Sequence, residues 1–240
     1  MKCSIINTTL FTGLFISLSL LGCTQSSPEN YLKNGDELYK QKQYDKAIVE
    51  YDKAVGLKKD FVLAYINKGA ALEFQRKFDE AIKNYNIILK ILPDQPAVLT
   101  RRGIAYIGIQ KIETGLADLQ LANSISPNNP IILCNLGLCK ISLKDSSGIS
   151  DLNKSILLDS SSHTAYYNRG LGKLLTSDYE AAIQDFAKSI HLKPNYGEGL
   201  CGIGIAKFQL GDKEAACRYW KLSIDAGYQR AQLLIDNNCN

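Results

Sequence analysis

The fold class this sequence predicts is an all-α solenoid of about six helix pairs, closed at its C-terminal end by a capping helix. Two observations carry that expectation. Glycines recur at Gly35, Gly69, Gly103, Gly137, Gly170 and Gly204, in steps of 34, 34, 34, 33 and 34 residues. After Asn30, apolar residues return with a helical period and no useful stretch alternates like a strand. A unit of that length holds two short helices, neither of which can bury its apolar side alone, so successive units have to stack.

The chain opens with Met1-Lys2, a short positive start, followed by an apolar run from Leu10 to Leu21 and then Gly22-Cys23. This is the three-part layout of a secretory signal peptide. The run is about a dozen residues, short for a membrane span of roughly 20. Leu20-Leu21-Gly22-Cys23 resembles a bacterial lipobox, which implies cleavage before Cys23 and a lipid on that cysteine. Ordinary secretion and a retained anchor are the alternatives. The expected organisation is residues 1–22 signal peptide, 23–29 lipidated tether, 30–228 six repeats and 229–240 capping helix.

Within each unit the columns are consistent. Four residues before each glycine stand Tyr31, Tyr65, Leu99, Leu133, Tyr166 and Leu200, one helical turn away on the same face. Eleven or twelve residues after it stand Ala47, Ala81, Gly115, Gly148, Ala182 and Ala216, small enough to let a second helix come close. One turn further come Tyr51, Tyr85, Leu119, Leu152, Phe186 and Trp220, which fill the space between the helices. Pro93, Pro127 and Pro194 end their units, because proline cannot donate the next helical hydrogen bond. Acids such as Asp45, Asp79, Glu113, Glu180 and Glu214 cluster near the start of each second helix, where the dipole favours them.

This pattern resembles the tetratricopeptide repeat, in six copies from Pro28 to about Tyr228. The resemblance implies a right-handed superhelix in which the first helix of each unit faces the concave side. The fourth unit, residues 130–162, departs most. It is one residue short, carries Gly148 and Ser160 where Ala and Pro are typical, and its second helix is expected to be the most irregular. Residues 229–237 read as a thirteenth, amphipathic helix covering the end of the stack.

Chemistry is harder to find. Formal net charge is +4 on 240 residues with 22% charged, too weak and scattered for a nucleic-acid surface. His163 and His191 are the only histidines and have no partners at ligand-like spacing. There is no phosphate-binding glycine loop and no nucleophile elbow. Asp151 and Asp185 occupy equivalent repeat sites, which makes them a recurring packing or surface feature. The expectation is no catalysis, no metal, no cofactor and no small-molecule substrate. Cys134 and Cys201 lie two units apart, too far for a bond, and Cys134 and Cys139 point in different directions along one helix. Cys217 and Cys239 are the candidate disulfide in an oxidising compartment, with two unpaired thiols as the alternative.

If the first helices face inward, the concave wall is formed by Ile66 and Ala70, Ile104 and Ile107, Leu138 and Ile141, Tyr167, Leu171 and Leu174, then Ile205 and Phe208. Thr100, Cys134 and Cys201 share that stripe. Asn67, Arg101, Asn135 and Asn168 flank it. The functional expectation is a groove for an apolar peptide or partner helix, with amides holding its backbone and Arg101 a carboxylate. The competing expectation is that the stripe packs against neighbouring first helices. Relatives that bind chaperone C-termini use a clamp of Lys and Asn residues. Here Leu32, Asp36 and Ala97 stand at three of its positions and only Asn67 and Arg101 match, so acidic tails are not expected to bind. The resulting picture is a lipid-anchored scaffold in the bacterial cell envelope, at the outer membrane and facing the periplasm. A chaperone for unfolded clients and a structural homo-oligomer are its rivals.

Overall fold

The computed structural model describes residues 27–239. They form thirteen α-helices, and among the described residues there is no strand. The helices are α1 (Pro28–Lys40), α2 (Tyr44–Leu57), α3 (Val62–Phe74), α4 (Phe78–Ile91), α5 (Pro96–Gly108), α6 (Ile112–Ile125) and α7 (Pro130–Ser142). They continue as α8 (Gly148–Leu158), α9 (His163–Leu175), α10 (Tyr179–Leu192), α11 (Gly197–Gln209), α12 (Lys213–Asp225) and α13 (Gln232–Asn238). The signal peptide and the lipid-bearing Cys23 expected from the sequence lie outside the described residues. The last two residues of the expected tether are already helical. Ser27 caps α1 by accepting from the Asn30 N–H at 3.1 Å, and Pro28 takes the first helical position, where its missing N–H costs nothing.

Each odd-numbered helix up to α11 packs on the even-numbered helix after it, and each even-numbered helix up to α10 also packs on the first helix of the next unit. The glycine column is where the two helices of a unit cross. A Cβ built on Gly35 or Gly69 would stand 2.5 Å from the ring of Tyr51 or Tyr85. Units three and four fill the crossing with Leu119 and Leu152, and there both helices carry glycine. A Cβ on Gly115 would meet the Gly103 carbonyl at 2.6 Å. The smaller leucine thus goes with a closer backbone approach, which explains Gly115 and Gly148 in a column otherwise of alanine. Tyr51, Tyr85, Leu119, Leu152, Phe186 and Trp220 are all essentially fully buried. At about 1.5–3 kcal/mol for each large apolar side chain, this column is a main source of stability within the units.

The turn inside each unit repeats one backbone conformation. Lys42, Arg76, Gln110, Lys144, Ser177 and Gly211, each seven residues after its column glycine, have positive φ. A second recurring device anchors the last three units. The hydroxyls of Ser155, Ser189 and Ser223 donate to the carbonyls of Pro130, His163 and Gly197 at 2.8 Å, tying each second helix to the start of its first. In the fourth unit α8 is the shortest of the repeat helices at 11 residues and starts without a side-chain cap.

At the C-terminal end, Gln229–Ala231 form a 3-10 turn that leads into α13. Leu234, Ile235 and Ala231 close over Trp220 and Cys201. Cys217 and Cys239 are joined by a disulfide, with Cα atoms 5.7 Å apart.

Candidate functional site

Successive first helices touch one another along the stack: α1 on α3, α3 on α5, and so on to α11. Among the described residues the second helices do not pack on each other to that extent. The superhelix therefore curves toward its first helices, and these line the concave wall.

Clefts open on that wall. One of about 370 Å³ lies between α7 and α9. Ile131, Leu138, Tyr167 and Tyr196 give it apolar sides, and Asn135, Thr164 and Asp159 its polar groups. Ile131 is 66% exposed at its mouth. Tyr196 stands edge-on to both His163 and Tyr167, with ring centroids 5.2 and 5.3 Å away, so the aromatic side of the cleft is braced from two directions. Burial pushes the Tyr196 hydroxyl up to about 12 and raises that of Tyr167 as well, so both are neutral hydrogen-bonding groups.

A second cleft, about 290 Å³, continues past Thr100, Arg101, Ile104 and Ile131. The third, about 310 Å³, is bounded by Asp36, Tyr39, Lys40, Asn67 and Arg101. Its polar groups already face partners within the chain. Asp36 accepts from the Tyr51 hydroxyl and the Asn67 amide, both at 2.8 Å. Glu73 accepts from the Tyr85 hydroxyl and, at 3.3 Å, from Arg101. Asn67 and Arg101 thus both point at carboxylates of their own chain.

The other flanking amides are also engaged. Asn135 donates to the Ile131 carbonyl at 2.8 Å, and Asn168 is buried and donates to the Cys134 sulfur at 3.4 Å. Part of the predicted stripe belongs to the stack rather than to an open wall. Ile107 packs against Leu119, Leu136 and Cys139. Ile141 is buried with Leu152 and Ala165, and Leu171 packs there as well. Leu171 and Leu174 also lie against Phe186 and Ile203, while Ile205 and Phe208 lie against Trp220 and Cys201. Ala70 is buried and Ile66 half-buried against the N-terminal core. The residues four after the glycine, Ile107, Ile141, Leu174 and Phe208, are packed between helices, whereas Ile131, Leu138 and Tyr167 remain reachable at the cleft.

Sequence reading missed Ile131, Thr164 and Tyr196. Ile131, Cys134 and Leu138 follow the i, i+3, i+7 spacing of one helix face, so Ile131 was available as a signal. It also missed Arg102 and Arg169, each just before its column glycine. Arg102 meets Asp118 and Asn86, and Arg169 meets Asp185 and Asn153, all within 2.6–2.9 Å. Asp151 is taken by Lys140 at 2.7 Å. Among the described residues, no group of three His, Cys, Asp or Glu side chains is placed to hold a metal ion, and no helix is long and apolar enough to cross a membrane.

Comparison with known proteins agrees with this geometry. Residues 35–75 match a family model described as a TPR repeat, and residues 163–196 match one described as a tetratricopeptide repeat. Repeats of this kind are protein-interaction modules, and neither match indicates a catalytic family. A heat shock protein sti1 homolog of Schizosaccharomyces pombe is 33% identical over 94 residues, 39% of this chain; the matched region is 16% of that relative's length. Among solved structures, the APC/C hetero-tetramer Cut9-Hcn1 aligns over 89% of this chain and 43% of the matched chain, with TM-score 0.82 and 16% identity. PilW, a widely conserved type IV pilus biogenesis factor, aligns over 87% of this chain and 97% of its own, with TM-score 0.76 and 17% identity. At such identities the likeness is one of fold.

Proposed function

Because stacked tetratricopeptide repeats make up this chain, we propose that it is a scaffold recruiting a partner protein through its concave face. It is anchored by a lipid on Cys23 in the bacterial cell envelope, at the outer membrane and facing the periplasm. The partner supplies an apolar segment, a peptide or one face of a helix, to the cleft between α7 and α9. The observation that carries this reading is the cleft itself: Ile131 lies open beside Leu138 and Tyr167 on a wall whose other apolar side chains are mostly packed away. Reachable apolar side chains beside a few polar groups form the kind of surface that takes a helix or peptide anchor. The N-terminal cleft, where Asp36 and Glu73 already occupy Asn67 and Arg101, is not the place for a partner's acidic tail.

The test uses the full chain. Ile131→Glu with Leu138→Glu should abolish partner capture and leave the helical circular dichroism unchanged; undiminished capture removes the cleft from the proposal. Photo-crosslinking from Leu138 in the native cell should give one dominant adduct, whereas a chaperone would give many. Cys23→Ala should move the protein from the membrane to the soluble fraction, and persistent membrane association would remove the lipid anchor.

A further inference from the structure

Cys217 sits in the middle of α12 with Lys213 four residues before it and Lys221 four residues after it, on one face of the helix. Arg218 follows directly. These three cations and a single acid, Glu214, surround an open cleft of about 720 Å³ whose floor includes both Cys217 and Cys239. The bond holds α13, which is only seven residues long and packs on α12 and on the turn before it. A helix of that length has little stability of its own.

We propose that the Cys217–Cys239 disulfide is a thiol–disulfide exchange site for small anionic thiols of the glutathione class. The attacking thiol loses its proton to solvent, and its thiolate adds to the Sγ of Cys239. The S–S bond breaks, and its electron pair leaves on the Cys217 sulfur. A thiolate there is favoured by Lys213, Lys221 and Arg218, and the more stable thiolate leaves faster. A second thiol of the same class attacks the reagent's sulfur in the mixed disulfide and releases the Cys239 thiolate. Two reagent thiols are thereby oxidised to their disulfide, the protein bond is reduced by two electrons, and the two protein thiolates take up protons from water. The cations also concentrate an anionic reagent at the cleft. Once the bond opens, α13 keeps the packing of Leu234 and Ile235 but loses its covalent tie to α12, and the Trp220 face at the end of the stack can be uncovered.

The experiment treats the native full chain with glutathione or with cysteamine, a cationic thiol, at matched thiolate concentration. Rates are normalised to those with a disulfide in an unstructured peptide, and adducts are trapped with acid and mapped by mass spectrometry. At low salt, glutathione should react about tenfold faster than cysteamine after normalisation, and the preference should collapse at high salt. The first adduct should lie on Cys239. Lys213→Glu with Lys221→Glu, both exposed positions, should reverse the preference. Equal normalised rates in the unmodified protein, an adduct on Cys217, or reduction only in denaturant would each overturn the proposal.

Discussion

Arg102 grips Asp118 with two parallel hydrogen bonds of 2.7 Å each, Nε to Oδ2 and Nη2 to Oδ1, while its Nη1 reaches Asn86 in the preceding unit at 2.7 Å. One guanidinium therefore ties the two helices of its own unit to the second helix of the unit before. Arg169 does the same with Asp185 and Asn153. Asp118 is buried, so removing Arg102 would strand its carboxylate away from water, whereas Asp185, also buried, would keep Lys173 at 2.9 Å. Arg102→Ala should cost about 2 kcal/mol, discounted from the 3–5 typical of a fully buried pair because the arginine keeps some exposure. Arg102→Met combined with Asp118→Leu should cost less than Arg102→Ala alone, since no uncompensated charge is left. Urea unfolding of the three proteins measures it, and a double variant weaker than the single would contradict the argument.

The inner turns carry a different strain. Five of the six place a non-glycine residue at positive φ, and only Gly211 is the residue that accepts this conformation without steric cost. Gln110→Gly and Ser177→Gly should each raise stability by up to about 1 kcal/mol, after the added freedom of the unfolded chain is subtracted. Gly211→Ala should lower it by about 1 kcal/mol. Thermal melts suffice to check the signs, and destabilisation by both glycine substitutions would show that the turn side chains matter more than their backbone.

Much of this architecture could be read from spacing alone, because a repeat reports the same constraint six times. The column from Tyr51 to Trp220 and the glycines opposite are buried as their chemistry requires, and so is the helix pairing. The groove was less legible. Leu138 and Ile141 are neighbours on one helix face, yet Leu138 borders an open cleft while Ile141 is sealed against Leu152. Apolarity marks both identically; only the approach of the next first helix separates them. Arg102 and Arg169 were not legible because the column they share also holds Asn34, Lys68, Leu136 and Ile203, and in the fourth unit Lys140 reaches Asp151 from one turn further on.

The three unpaired cysteines among the described residues should be chemically silent in the folded protein. Cys134, Cys139 and Cys201 are all buried, and burial raises each thiol, that of Cys201 to about 11. Iodoacetamide at mildly alkaline pH should leave all three unmodified until the chain opens. Cys201 shares the C-terminal cluster with Trp220, so its labelling should accelerate when Cys217→Ser and Cys239→Ser release α13, while that of Cys139 stays unchanged. Equal acceleration at both cysteines would mean that the cap stabilises the whole stack instead of its last unit.

Glu73 gives the fold a pH dependence of a definite sign. It is held beneath Tyr85 and beside Arg101, and burial raises its carboxyl above the ordinary 4.5, an effect that these two donors oppose without cancelling. The folded chain therefore binds this proton more tightly than the unfolded chain does. Its contribution to stability is fully present below 4.5 and is lost as pH rises through the folded value. Glu73→Gln keeps an oxygen to accept from the Tyr85 hydroxyl but removes the titration. Urea midpoints of the two proteins should therefore diverge as pH rises from 4.5, the unmodified chain losing ground to the variant and the gap levelling off once Glu73 is ionised in both states. Parallel curves would mean that Tyr85 and Arg101 fully compensate the buried charge, and a gap opening in the opposite direction would mean that they overcompensate it.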